Sequence, residues 1–180
     1  NYNEQHQALP FASGYRGNWQ PIRLPTWAAS VLPFVEQQQH YDLFDFSQAM
    51  DHAKNAVAVT TPVAVYICPS DGSVSTGVMN DRCMCCGQSV PVRSAGLWYM
   101  ASAGTAPARA DKICPYCPNP TSSITNSCCQ GEPYGTTGVP PGMFSRSPRS
   151  VSSAMVRDGM SNTIMLGEAL PSVNMHNTAF

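Results

Sequence analysis

Charge is scarce in this sequence. Only 12% of its 180 residues are Asp, Glu, Lys or Arg, about half of the roughly 25% usual in soluble proteins. Ten basic residues against eleven acidic ones leave a net charge of −1. No Lys/Arg cluster is present to neutralise a run of phosphates, which disfavours nucleic acid as a partner. Long apolar runs are missing too, since nothing approaches the roughly 18 to 20 residues of a membrane span. There is no Gly-x-Ser-x-Gly elbow, no phosphate loop and no His-Glu-x-x-His helix, so no motif points to an enzyme and none is expected. Starting Met and signal peptide are both lacking. The chain opens on Asn1-Tyr2-Asn3-Glu4, and the expectation is a domain cut from something longer.

What replaces charge is uncharged polarity: 19 Ser, 11 Thr, 10 Asn and 9 Gln accompany 43% apolar residues. The length suits a single domain over residues 1–180 with a core of its own. Eight cysteines, Cys68, Cys83, Cys85, Cys86, Cys114, Cys117, Cys128 and Cys129, all fall between residues 68 and 129. A reducing cytosol would keep such thiols free or metal-bound, whereas an oxidising compartment pairs them, so export and disulfides are the simpler reading. Cys83-Met84-Cys85-Cys86 and Cys114-Pro115-Tyr116-Cys117 also have the Cys-x-x-Cys form of a zinc site. Their 27 intervening residues exceed zinc-ribbon spacing and leave four cysteines over, so the bridges are preferred.

Periodicity predicts a mixture of short elements. Residues 1–8 read as the last turns of a helix ending before Pro10. Trp27, Val31, Phe34, Val35 and Tyr41 mark one helix face, with Pro33 imposing a kink or restart. Residues 47–59 read as a helix capped by Ser47. The runs 63–68, 96–100, 142–144 and 162–166 read as strands, 150–156 as a helical turn, and 73–141 largely as a Cys-rich loop region in which cross-links offset ordering entropy.

Three groups of side chains bear chemistry. Asp158-Gly159-Met160-Ser161-Asn162 with Glu168 offers hard oxygen ligands that would suit calcium. An Asp-Gly turn whose carboxylate caps backbone N–H groups explains the same residues without a metal and is preferred. Cys68-Pro69-Ser70-Asp71 reads as a strand end and tight turn, with Asp71 a network partner or ligand. Trp19 and Trp98, if exposed, would make a glycan platform, whereas Trp27 belongs to the core stripe. His6, His40, His52 and His176 stand apart at no two-ligand spacing and are expected to be solvated.

Several blocks together carry a resemblance. Asn1-Tyr2 with Leu9-Pro10, Trp27 with Leu32-Pro33-Phe34-Val35-Glu36-Gln37 and Tyr41, and Cys68-Pro69-Ser70-Asp71 occur in order. Tyr99 with Ser102 and Gly104, Gly142 with Phe144, and Asp158-Gly159-Met160-Ser161-Asn162-Thr163-Ile164 with Gly167-Glu168 follow them. In these the chain resembles the planctomycete pilin-like family called domain of unknown function 1559, or SBP_bac_10. The final block is the most specific. The resemblance implies an α+β, pilin-like domain: short helices packed on an antiparallel sheet, here with a disulfide-bonded loop region. It also implies a prepilin-type leader and an apolar helix ahead of the domain. The expected function is a structural subunit of a pseudopilin-like filament, secretion apparatus or cell-surface assembly. Its partners would be copies of itself or other pilin-like subunits, and its location periplasmic or at the cell surface, tethered to the membrane by that helix. The competing expectation is an extracellular glycan- or solute-binding module.

Overall fold

Helix α1, Tyr2–His6, begins where Asn1 accepts a hydrogen bond from the Asn3 N–H. Five residues cannot hold a helix on their own, and α1 leans on its surroundings. Tyr2 stacks on His6 at 4.2 Å and meets the edge of Phe34 at 5.4 Å. The chain is then tied down by Leu9 N–H donating to Val151 O at 2.8 Å. A computed structural model describes residues 1–12, 25–50, 52–80, 83–84, 87–88, 92–102, 142–144, 150–173 and 179–180.

The Trp27 stripe folds as its caps and proline require. Thr26 accepts a bond from Ala29 N–H and opens α2, Trp27–Val31. Pro33 then sits in the first turn of a 3-10 helix, Leu32–Val35, the place where its missing N–H costs nothing. Helix α3, Gln38–Tyr41, follows. The helix expected over 47–59 is shorter. Ser47 bonds back to the Asp45 carboxylate instead of capping, and the helical residues are a 3-10 turn, Ala53–Asn55, running into α4, Ala56–Thr60. The strand expected at 63–68 is a 3-10 turn, Ala64–Tyr66. No strand forms at 142–144, and in place of the strand at 162–166 lie a 3-10 turn, Met160–Asn162, and a strand starting at Leu166.

The strands are brief and pair two by two. β1 (Val78–Met79) lies antiparallel to β4 (Ser94–Ala95), β2 (Cys83–Met84) to β3 (Gly87–Gln88), and β5 (Tyr99–Ala101) to β6 (Leu166–Glu168). The α+β class therefore holds. The single antiparallel sheet does not: among the described residues the strands form three separate ribbons.

One apolar cluster joins these pieces. Trp27, Ala28, Ala29 and Leu32 from the amino-terminal helices pack with Ala58, Val59, Val63 and Tyr66, with Phe144, and with Ala179 and Phe180. Trp27 lies 5.9 Å from Tyr66 and 6.0 Å from Phe144 between ring centres, as its place on the stripe predicts. Ala179 is drawn in by its N–H on Ala95 O and by Thr26 Oγ1 on its own carbonyl, both at 2.9 Å. Among the described residues no helix is long and apolar enough to cross a membrane.

Candidate functional site

The turn Cys68-Pro69-Ser70-Asp71 closes through Asp71 N–H on Cys68 O at 3.2 Å. Its carboxylate is engaged at both oxygens. Oδ1 accepts from Ser73 N–H at 3.0 Å, and Oδ2 accepts from the Trp98 indole Nε1–H at 2.7 Å. The bonds from Ser73, followed by that from Trp98, hold the Asp71 carboxyl below the usual aspartate range, because each stabilises the charged form. Cys68 is half-buried and unbridged, its Sγ 3.1 Å from Ser70 Oγ.

Trp98 is the junction. Its backbone N–H donates to Tyr66 O at 3.1 Å, and its carbonyl accepts from Ala169 N–H at 2.8 Å. Its ring covers Gly96 so closely that a Cβ there would stand 2.9 Å from ring carbon Cζ3. With 1% of its surface exposed, Trp98 cannot offer a face to a sugar, which overturns its half of the glycan platform. Trp19 lies outside the described residues.

The Asp158-Gly159 turn forms, by different chemistry from that expected. Gly159 takes φ +84°, which L side chains rarely adopt. Its N–H bonds to Val156 O and its carbonyl accepts from Asn162 N–H, both at 3.1 Å. The side chains that close the turn are Asn162, whose Nδ2 donates to Asp158 O at 2.9 Å, and Thr163, whose Oγ1 donates to Gly159 O at 3.0 Å. No described group bonds to the Asp158 carboxylate, so the cap expected from it is supplied by Asn162. Asp158, Asn162 and Glu168 are all exposed, and Glu168 stands on β6 opposite Tyr99. Among the described residues no group of three or more His, Cys, Asp or Glu is placed to hold a metal ion. Of the cysteines other than Cys68, only the backbone of Cys83 is described; the rest of the bridge and zinc expectations lie outside the described residues.

The profile of the family described as protein of unknown function (DUF1559), SBP_bac_10, matches residues 1–179. The chain belongs to that family. No curated protein and no solved structure matches it.

In this DUF1559 chain further polar residues that the motifs did not single out are buried and bonded within the fold. His40 was expected in solvent and is 5% exposed. Its Nε2 lies 2.8 Å from Ala58 O, and its ring stacks on Phe44 and tilts against Phe180. Asn55, fully buried, accepts from Asp45 N–H at 2.7 Å and donates to Ala49 O at 2.9 Å. Tyr66 donates to Ala28 O at 2.6 Å, and burial pushes its phenol well above the usual range. The helix stripe gave a partial signal for His40, one position before Tyr41. For Asn55 the signal was only a polar residue beside an Ala-rich run. His52 does stay exposed, using Nδ1 to accept Lys54 N–H. His176 lies outside the described residues.

Proposed function

We propose that this domain is the globular head of an exported structural subunit, built into a pilin-like filament, secretion apparatus or cell-surface assembly. In this reading an apolar helix ahead of the head tethers it to the membrane and brings copies together. The supporting observation is how the head spends its reactive side chains. Asp71 holds Trp98, His40 faces the Ala58 carbonyl, Asn55 braces the 45–49 turn, and Tyr66 fixes Ala28. These four groups are tied to the frame, as suits a part that must keep its shape under load. The family resemblance, with its leader and apolar helix, supports the tether and the pilin-like architecture. The cysteines favour an oxidising compartment.

Expression of the whole gene in a related host, with cell fractionation and electron microscopy, tests the reading. The expected result is a membrane-held chain, recovered with surface or secretion assemblies and released when the upstream apolar helix is deleted. A full-length chain that is secreted freely and stays monomeric overturns it.

A further inference from the structure

β6 leaves open what sheet edges usually hide. Ser102 N–H donates to Met165 O at 3.0 Å and Ala169 N–H to Trp98 O at 2.8 Å, with Met100 opposite Gly167 between them. Residues 165, 167 and 169 therefore turn their backbone groups toward β5, and by the alternation of an antiparallel ladder Leu166 and Glu168 turn theirs away. No described backbone group meets those outward N–H and C=O groups. The side chains alternate as well. Met165 packs on the core, while Ile164, Leu166 and Leu170, on the opposite parity, are 74%, 39% and 51% exposed. Edge strands are ordinarily blunted by Lys, Pro, a bulge or a covering element. Between Thr163 and Leu170 this one carries Glu168 as its single charge and no Pro.

We propose that β6 is a self-pairing edge, joining two copies of this chain in antiparallel register about a two-fold axis at Gly167. In that register Leu166 of each copy lies opposite Glu168 of the other, so the outward-facing residues pair with one another. Ile164 of each copy faces Leu170 of the other. The two carboxylates each oppose a leucine and never each other, so the one charge on the edge does not oppose the pairing. On the axis the two Gly167 residues form a non-hydrogen-bonded pair, where Cα atoms approach to about 4.5 Å and side chains crowd most. Glycine has none to crowd, and no atom stands within 4 Å of where its Cβ would be. A second copy fits this edge because the edge complements itself.

The contact is small. A few residues per copy fall well short of the roughly 1,200 to 2,000 Å² of a stable complex, so pairing is weak in dilute solution and gains from copies held near one another. In that respect it rests on the assembly reading above.

Sedimentation of the head over a concentration series up to roughly millimolar, beside Leu166→Pro and Ile164→Lys, tests it. The proline removes an outward N–H and leaves the ladder to β5 intact; the lysine charges the apolar face and, being exposed, leaves folding unchanged by circular dichroism. The expected result is a reversible rise toward dimer mass in the parent chain and at least roughly tenfold weaker association in both variants. A parent chain that stays monomeric throughout, or a dimer that survives both changes, overturns the proposal. Full-length protein that still assembles at the membrane with Ile164→Lys removes the edge and spares the assembly reading. A head that dimerises through β6, in a full-length chain that never assembles, does the reverse.

Discussion

Asp71 and Trp98 show how one buried donor organises its neighbourhood. An indole N–H shut away from water must find an acceptor or cost folding free energy, and here the acceptor is a carboxylate on a turn 27 residues earlier. Because the Asp71 carboxyl is held below its usual range, its contribution is complete above the ordinary aspartate value near 3.9 and is lost as pH falls through the lower folded value. Wild type is therefore expected to melt higher than Asp71→Ala at pH 6, with the gap closing as pH drops below about 4; calorimetry across that range checks it. A gap that does not change with pH would mean that the carboxylate's charge is irrelevant to the turn. His40 gives a second test at this scale. His40→Phe keeps a ring against Phe44 and Phe180 and leaves the Ala58 carbonyl without its partner. It is expected to cost about 1 to 3 kcal/mol in urea unfolding, and no loss would show that water replaces the imidazole.

Among the elements, the turn at Asp158-Gly159 separates two explanations of the same residues. No described group bonds to the carboxylate of Asp158, while the Asn162 amide closes the turn. Asn162→Ala is thus expected to lower stability by roughly 0.5 to 1.5 kcal/mol, and Asp158→Ala to stay within about 0.5 kcal/mol of the parent. Thermal melts of the pair decide between them, and the opposite ranking would restore the carboxylate cap. This turn also shows what the sequence could tell. Its existence was legible because Gly159 punctuates the chain locally, but which side chain closes it depended on where Asn162 fell one 3-10 turn later. The restart at Pro33 was legible for the same reason, since a proline acts within a few residues. The run 63–68 forms a 3-10 turn where a strand is expected, because an apolar, β-branched stretch does not declare its conformation by periodicity. Its turn is fixed from afar, by Tyr66 reaching Ala28 with its hydroxyl and Trp98 with its carbonyl. The burial of His40 was hidden by distance too: its partner Ala58 comes 18 residues later and Phe180 closes the far side.

At the scale of the whole molecule, the balance between core and cross-links turns on Cys68. Its thiol is half-buried, and the chain has eight cysteines. Cys68 is unbridged among the described residues, and with its thiol free the other seven allow three intramolecular bridges, one fewer than the full set that the sequence allowed. The low charge and the ribbons of two or three residues argue that regular structure alone carries little of the stability. Bridges among Cys83, Cys85, Cys86, Cys114, Cys117, Cys128 and Cys129 are expected to carry much of the rest, each contributing about 2 to 5 kcal/mol if it closes a native loop. Alkylation of the native protein without reductant, read by mass spectrometry, should label Cys68 readily and leave at most one further thiol fully reactive. The intact mass should be about six hydrogens below the fully reduced value. Reduction should then lower the melting temperature without any change in chelator sensitivity. Eight reactive thiols in the oxidised preparation, or a stoichiometric zinc whose removal unfolds the chain, would replace bridges by thiolate ligation and move the domain back to a reducing compartment.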